Sequence, residues 1–164
     1  MLCKKQIIFT LVILLSSSLL SVSNLYAKEL KVAPPSYHWK GVEPGKKATM
    51  PVSILIKNHS EQERSYHLRA RVPAEIQLDV KEGFEPIPNT EWVSFTEVLV
   101  EVPAGATKRV KMYVTIPKGV KFVKPWMFYV EVKEEIARYG YLLGKPDMFA
   151  LAGYLKIYLL PKER

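Results

Sequence analysis

The amino-acid sequence predicts an all-β fold, a single antiparallel β-sandwich of 7–9 strands. Apolar and polar residues alternate over many short segments, and a two-residue period means that one face of each segment is buried. The 12 prolines and 8 glycines lie mostly between these segments, where a missing N–H group costs little. Twice, at Glu43–Lys47 and at Pro103–Thr107, a glycine-containing turn precedes a long alternating run, an order typical of antiparallel strands.

The first half of the chain after residue 27 contains several predicted strands. They are Leu30–Ala33, Tyr37–Val42, Thr49–Lys57, Ser65–Val72 and Ile76–Val80. In the third of these, Val52, Ile54 and Ile56 are predicted to point to one face. In the fourth, the alternation places four side chains inward, Tyr66, Leu68, Ala70 and Val72. Asn58-His59-Ser60 between these two strands matches a glycosylation sequon, and we interpret it as a turn.

The second half begins with a proline-rich connection at Glu85–Thr90 that is expected to cross between sheets. The predicted strands that follow are two extended pieces within Trp92–Val102, then Thr107–Ile116, Trp126–Lys133 and Phe149–Leu160. The inward residues of the last two strands are predicted to be Phe128, Val130, Val132, Leu155, Ile157 and Leu159. Glu134–Gly144 is the least regular segment, and long loops of a sandwich often carry binding residues.

Residues 1–27 have the order of a secretory signal peptide. Two lysines form a basic start, an apolar run follows at Ile7–Leu15, and Ala27 is the small residue before the predicted cut. A cut after Ser23 is an alternative, and an uncleaved membrane anchor is another. An apolar core of about 14 residues is short of the ~20 that span a bilayer. We therefore expect export to the periplasm, the cell surface or the extracellular space, with residues 28–164 as the sandwich domain.

Cysteine content and charge limit the chemistry of the domain. Cys3, the single cysteine, lies within the predicted signal peptide, so we expect no disulfide, cysteine-based metal site or reactive thiol in the mature chain. The net charge is +8, and basic and acidic residues are interleaved along the chain. Scattered positive charge favours solubility and weak attraction to anionic surfaces. It does not indicate nucleic-acid binding, which requires a basic stripe or patch.

Several turn and core segments resemble those of bacterial immunoglobulin-like domains of exported proteins. They are Pro44-Gly45, Ile56–Ser60, Tyr66–Leu68, Gly83-Phe84, Pro86–Pro88, Glu91–Phe95, Val102–Gly105 and Val110–Pro117. The chain is similar to NEW3-type and Hydin-type domains and to the peptidoglycan-binding module of WxL-interacting proteins, which are themselves similar to the pilus-chaperone sandwich. The resemblance covers residues 31–132 and implies an immunoglobulin-like β-sandwich. It also implies binding of a partner protein or cell-wall glycan, or a spacer role, and it transfers no catalytic residue.

No arrangement of residues predicts an enzyme. The sequence has neither a Gly-x-Ser-x-Gly motif nor a glycine-rich phosphate loop. His38, His59 and His67 are well separated and lack metal-ligand spacing. Glu97 and Glu101 are expected roughly 13 Å apart on a strand, whereas the carboxylates of glycoside hydrolases lie ~5–9.5 Å apart. The sequence therefore predicts no catalytic site, no metal and no cofactor.

Two groups of residues are candidates for binding. The first is a basic row on the exposed face of one strand, His67, Arg69 and Arg71, which an acidic partner or a polyanion can use. Pairing with carboxylates on a neighbouring strand is the alternative explanation. The second is a set of aromatic residues in or near the irregular segment, which either forms a recognition surface or fills the core and covers its edges: Tyr139, Tyr141, Phe149 and Tyr154.

Two functions remain open from the sequence. The first is a non-catalytic exported module that binds a partner protein or a cell-envelope component such as a glycan. The alternative is a periplasmic assembly chaperone that caps a subunit by pairing an edge strand, for which Phe149–Leu160 is the candidate. Against the chaperone, the mature chain is long enough for one sandwich, whereas pilus chaperones carry two. A small hydrolase finds no support among the residues.

Overall fold

The computed structural model describes residues 30–135 and 152–162. In this part of the chain the structure is all-β, which confirms the predicted fold class. The predicted signal peptide and most of the irregular segment lie outside the described residues. Three of the predicted aromatic binding residues lie outside them as well, namely Tyr139, Tyr141 and Phe149.

Twelve strands form within the described ranges. They are β1 (Leu30–Ala33), β2 (Ser36–Val42), β3 (Lys47–Thr49), β4 (Ile54–Asn58), β5 (Arg64–Arg71), β6 (Glu85–Pro86), β7 (Val93–Phe95), β8 (Leu99–Val102), β9 (Thr107–Val110), β10 (Met112–Thr115), β11 (Trp126–Glu134) and β12 (Ala152–Pro161). Two short 3-10 helices, Pro73–Ile76 and Thr90–Trp92, lie in the connections after β5 and β6.

The strands pair in three sheets. Two sheets have three strands each, in the orders β1-β4-β9 and β3-β10-β7, and the third has six, in the order β2-β12-β11-β5-β8 with β6 beside β11. The pairs β12–β2 and β11–β6 are parallel, and the other pairs in these sheets are antiparallel. Buried side chains from all three sheets form one hydrophobic core. The fold is thus a sandwich in which the two small sheets cover the large one.

The predicted strand Thr49–Lys57 is interrupted in the structure. Ile54 and Ile56 are buried as expected, but Val52 is 38% exposed, so its predicted inward orientation is wrong. The chain bends between β3 and β4, and Met50 fills the core there. The physical reason is Pro51, which has no N–H group to donate to a neighbouring strand. The last hydrogen bond before it joins the Met50 N–H to the Met112 carbonyl at 2.9 Å.

The predicted strand Thr107–Ile116 also divides, at Lys111, into β9 and β10. β9 pairs with β4, whereas β10 pairs with β3 and β7. The alternation continues through the break, because Val110 and Met112 are both buried and Lys111 is exposed. Thr96 accommodates the break, since its N–H donates to the Lys111 carbonyl at 3.0 Å and its hydroxyl accepts from the Lys111 N–H at 3.2 Å.

The predicted strand Ile76–Val80 is wrong. A 3-10 helix ends at Ile76, and Leu78 and Val80 in the following loop are exposed. Ile76 and Phe84 of this connection pack on the outer face of the large sheet, against Met127, Tyr129 and Tyr158. β11 is consequently buried on both faces, so its predicted inward residues Phe128, Val130 and Val132 are correct but describe only half of the burial.

The interpretation of Asn58-His59-Ser60 as a turn is confirmed. Asn58 is fully buried, and its side-chain amide donates to the carbonyls of Gln62 at 2.7 Å and Val102 at 3.0 Å. Its side-chain oxygen accepts from the N–H group of Ser60 at 2.9 Å and from the Ser60 hydroxyl at 2.7 Å. This side chain therefore closes the β4–β5 turn and joins it to the end of β8.

β12 lies between β2 and β11 in the large sheet. Leu155, Ile157 and Leu159 are fully buried, as predicted. β12 pairs with β11 along Ala152–Leu159, but β2 pairs with it only from Lys156 onward. Before that point the chain lies in β1, which belongs to the other layer and pairs with β4. The first four residues of β12 therefore have a hydrogen-bonded strand neighbour on one side only, with β1 packed close to Gly153.

Candidate binding surfaces

The outer face of β5 and β11 carries the basic row predicted from the sequence. His67, Arg69 and Arg71 occupy alternate positions on β5, as their spacing indicates. In the antiparallel register they lie opposite Lys133, Glu131 and Tyr129 of β11, respectively. The row therefore faces a mixed surface with one acidic residue at its centre.

Glu131 links Arg71 to Tyr154. The Glu131 side chain is largely buried, its Oε2 accepts from Nε of Arg71 at 3.0 Å, and its Oε1 lies 3.4 Å from the Tyr154 hydroxyl. Oε2 of Glu75 lies 3.9 Å from Nη1 of the same guanidinium. Arg71 is therefore paired with carboxylates, as the alternative explanation of the basic row predicts.

Tyr154 contributes a neutral hydroxyl to this cluster. Burial raises the pKa of Tyr154, and the negative charge of Glu131 raises it further. The hydroxyl is therefore protonated at neutral pH and directs its hydrogen toward the Glu131 carboxylate. Tyr154 is 40% exposed, so it presents an accessible aromatic residue beside the basic row. The structure thus brings together two candidate groups that the sequence analysis treated separately.

Arg69 differs from Arg71 because no carboxylate among the described residues pairs with it. Glu131 lies directly opposite Arg69 in the register, but its carboxylate points to Arg71 instead. Nε of Arg69 donates to Nδ1 of His67 at 3.2 Å, which uses one of the five N–H groups of the guanidinium. Arg69 is exposed. Its remaining N–H groups are available to an anionic group from a partner.

A shallow pocket of about 250 Å³ lies over this part of the sheet. Arg64 and Glu134 form an ion pair of 2.9 Å close by. The pocket is lined by side chains of both charges, His67, Arg69, Arg71, Glu131, Lys133, Glu134 and Glu135. Such a surface suits a polar ligand or polypeptide with several hydrogen-bonding groups.

A second candidate surface is the open edge of β12. The N–H group of Lys156 donates to the Pro35 carbonyl at 3.0 Å, on the β2 side of the strand. Backbone groups two and four residues earlier, at Tyr154 and Ala152, point to the same side, where β2 has not yet begun. Gly153 lies against β1, because a methyl group added there would stand 2.6 Å from Cγ2 of Val32.

The structure adds Glu131 to the residues predicted from the sequence. Glu131 was not among the predicted site residues, although a carboxylate between Val130 and Val132 in the otherwise apolar segment Trp126–Val132 is an available signal. The partnership of Tyr154 with Glu131 depends on the β11–β12 register, which the sequence does not reveal. In the described ranges, no three histidine, cysteine or acidic side chains are grouped so as to hold a metal ion.

Comparison with known proteins identifies the class of fold. The chain is similar to the periplasmic chaperone SfaE, with 10% identity over 82% of this chain and 58% of that one, TM-score 0.54. It is also similar to a PapD-like domain of human CEP192, with 15% identity over 82% and 87%, TM-score 0.50. A putative carbohydrate binding protein from Bacteroides ovatus has 7% identity over 83% and 38%, TM-score 0.58. The structure thus has an immunoglobulin-like β-sandwich fold similar to PapD-like and pilus-chaperone domains.

These similarities show the fold alone, because every identity is low. The chain spans 58% of the length of the SfaE chaperone and 38% of that of the Bacteroides protein. No protein-family model matches the chain, and no curated protein does. The finer resemblance to NEW3-type, Hydin-type or WxL-interacting modules therefore stays a prediction. Among the described residues, no helix has the length and apolar character needed to cross a bilayer.

Proposed function

We propose that this protein is a non-catalytic exported module that binds a partner protein or a cell-envelope component through the outer face of β5, β11 and β12. The observation that carries this proposal is Arg69, an exposed guanidinium with no carboxylate partner among the described residues, next to the Arg71–Glu131 ion pair. Ion pairing holds Arg71 in place, so Arg69 and the ring of Tyr154 stand on an ordered surface. Similarity in fold to a periplasmic chaperone and to a putative carbohydrate binding protein supports the proposal.

The proposal includes both a partner protein and a cell-envelope component as ligands because the surface offers two kinds of contact. The guanidinium of Arg69 suits carboxylate or phosphate groups, which occur in acidic proteins and in anionic envelope polymers. The exposed ring of Tyr154 suits sugar rings or apolar side chains. Export follows from the predicted signal peptide and agrees with the periplasmic location of the SfaE chaperone.

Retention assays with matched variants test this proposal. The purified protein is incubated with insoluble cell-wall material and, separately, with immobilised envelope proteins. We expect Arg69→Glu and Tyr154→Ala to lose retention on one of these, because each removes one contact without disturbing the core. Arg109→Glu on β9 is the control, since it makes the same charge change at an exposed position of the opposite layer.

The assay has outcomes that count against the proposal. Equal loss by Arg69→Glu and Arg109→Glu would show that net charge, and not this face, causes retention. Unchanged retention of Arg69→Glu and Tyr154→Ala on both materials would exclude the face as the site. No retention of the unaltered protein on either material would remove the proposal altogether.

A second candidate function is an assembly chaperone that pairs an edge strand with a subunit. The observation that favours it is the open edge at Ala152–Leu155, where β12 has β11 on one side and no β2 on the other. Ala152→Pro removes one N–H group from this edge and leaves the pairing with β11 intact, because that N–H points away from β11. Cells carrying Ala152→Pro should lose surface fibres as deletion cells do, and an unchanged fibre profile in deletion cells would remove this candidate.

A further inference from the structure

β5 has an open edge of its own, at the opposite side of the large sheet from β12. β5 extends from Arg64 to Arg71, but β8 pairs only with its first half, up to the Leu99–His67 pair. One further bond follows, in which the Leu68 N–H donates to the Val98 carbonyl at 2.8 Å. Before Val98 the chain belongs to the other layer, where Thr96 is bonded to Lys111. The last residues of β5 therefore have no strand beside them on this side.

The backbone of Ala70 points to this open side. Leu68 directs its N–H group toward β8, and residues two apart on a strand direct their backbone groups to the same side. Arg69 and Arg71 direct theirs toward β11, with which they pair. The N–H and C=O groups of Ala70 thus face an open groove of about 340 Å³ between β5 and β7.

The groove is lined by both apolar and charged residues. Leu68, Ala70, Val93, Phe95 and Val98 supply the apolar part. The polar residues that complete the lining are Arg69, Thr90, Glu91 and Ser94. Val98 and the adjoining Leu99 are each 47% exposed, so apolar surface continues from the groove along β8. A backbone edge beside an apolar groove is the arrangement used when an extended peptide adds to a sheet.

The charges define which peptide fits. In an added strand, the residue opposite Arg69 would stand on the outer face with its Cβ about 4.5–5.5 Å away. An acidic side chain there meets the Arg69 guanidinium, which has no carboxylate partner among the described residues. The residue opposite Ala70 would point inward over Val93 and Phe95, where an apolar side chain fits. Glu91 also lines the groove, and its negative charge disfavours an acidic residue at that position. The groove therefore selects alternation of acidic and apolar residues.

We propose that β5 from Leu68 to Arg71 pairs with an extended segment of a partner polypeptide in which acidic residues alternate with apolar ones. The proposal goes beyond the outer-face function by assigning a backbone edge, a groove and the chemistry of the occupant. Arg69 takes part in both the outer-face function and the β5 edge, whereas the β12 edge takes part in neither. Ala70→Pro separates the two, because it removes an N–H group that points into the groove and changes no side chain on the outer face.

The test uses two fluorescent peptides of eight residues, one alternating valine with aspartate and the other alternating valine with lysine. Anisotropy titrations should show saturable binding of the aspartate peptide and none of the lysine peptide. Arg69→Gln should weaken binding about 2- to 5-fold, as expected for an exposed ion pair. Ala70→Pro should weaken it about 2- to 12-fold through the lost hydrogen bond. Arg109→Gln, the charge-matched control on β9, should bind as the unaltered protein does.

Two further measurements keep the test independent of how well Ala70→Pro folds. A form of the aspartate peptide methylated on alternate backbone nitrogens, made in both registers, should lose binding in the register that blocks pairing with Ala70. By NMR, hydrogen exchange at the Ala70 amide should be fast in the free protein and should slow on addition of the unmethylated peptide.

Several results would overturn the proposal. These are equal binding of the two peptides, unchanged binding of both methylated forms, and fast exchange at Ala70 in the saturated complex. Slow exchange at Ala70 without peptide that depends on protein concentration would identify a second copy of the chain as the occupant and would also overturn it. If retention on envelope material is lost in Arg69→Glu but kept in Ala70→Pro, the outer-face function stands and this edge proposal fails.

Discussion

Asn58→Ala should lower the free energy of unfolding by about 2–4 kcal/mol, a large effect for one polar side chain. Asn58 is fully buried, and its amide donates at 2.7 and 3.0 Å to the carbonyls of Gln62 and Val102. Each such bond contributes a net ~0.5–1.5 kcal/mol, and the same amide also lies 3.3 Å from the Pro103 carbonyl. The Ser60 N–H group also loses its acceptor, the Asn58 side-chain oxygen at 2.9 Å. The truncation therefore affects the β4–β5 turn and the end of β8 together.

Urea unfolding followed by tryptophan fluorescence measures this effect. The transition midpoint should fall, while the dependence of the unfolding free energy on urea should stay the same, because the folded state keeps its overall architecture. His59→Ala is the control, since His59 is the exposed neighbour in the same turn and its loss should change stability by less than about 0.5 kcal/mol. Equal effects of Asn58→Ala and His59→Ala would refute the reasoning.

Asn58→Asp gives a sharper form of the same test. It preserves shape but replaces the donating amide with a carboxyl group facing the Gln62 and Val102 carbonyls, so burial should raise its folded-state pKa. A raised acid pKa means that the folded state binds a proton more tightly than the unfolded state. The variant should therefore lose stability relative to the unaltered protein as pH rises above about 4. A pH-independent difference between the two proteins would contradict this account.

Three further predictions concern surface contacts and packing. Glu131→Gln should lower the pKa of Tyr154 toward its ordinary value, because burial would still raise it but the charge of Glu131 would be gone and that of Arg71 would lower it. Ultraviolet titration of the tyrosines measures this change. Hydrogen bonds from Lys162 and Lys46 lower the pKa of Glu43 from 4.5 to about 2. The contribution of Glu43 to the stability of the folded state is therefore complete above pH 4.5 and is lost as pH falls through about 2. Glu43→Gln should remove that part of the acid dependence of stability, and high salt should weaken it. Gly153→Ala should lower the melting temperature through its contact with Val32, and a double variant with Val32→Ala should recover part of the loss; additive losses would contradict a steric cause.

The sequence predicted most strands because burial on one face leaves a two-residue period. Ile54 and Ile56 in β4, and Leu155, Ile157 and Leu159 in β12, are buried as that period requires. The same rule failed where other features override it. Pro51 interrupted the alternation before β4, and the residues after Ile76 formed a loop that covers the large sheet instead of a strand.

The candidate site was predictable only in part. The spacing of His67, Arg69 and Arg71 placed them on one face, but their partners depend on which residues of β11 lie opposite. Register is set by packing and turn geometry over the whole sheet, so it cannot be read from β5 alone. The structure therefore distinguishes Arg71, which is paired, from Arg69, which has no carboxylate partner among the described residues.

The amino-acid sequence by itself determined the fold class and the inward residues of its regular strands, because both follow from local alternation and from turn residues. Tertiary structure alone decided which strand edges stay open. β8 pairs with β5 only as far as Leu68, and β2 pairs with β12 only from Lys156 onward. Neither limit has a local signal in the sequence. The reason is that an open edge results from where a neighbouring strand leaves for the other layer, which is a property of the whole sandwich.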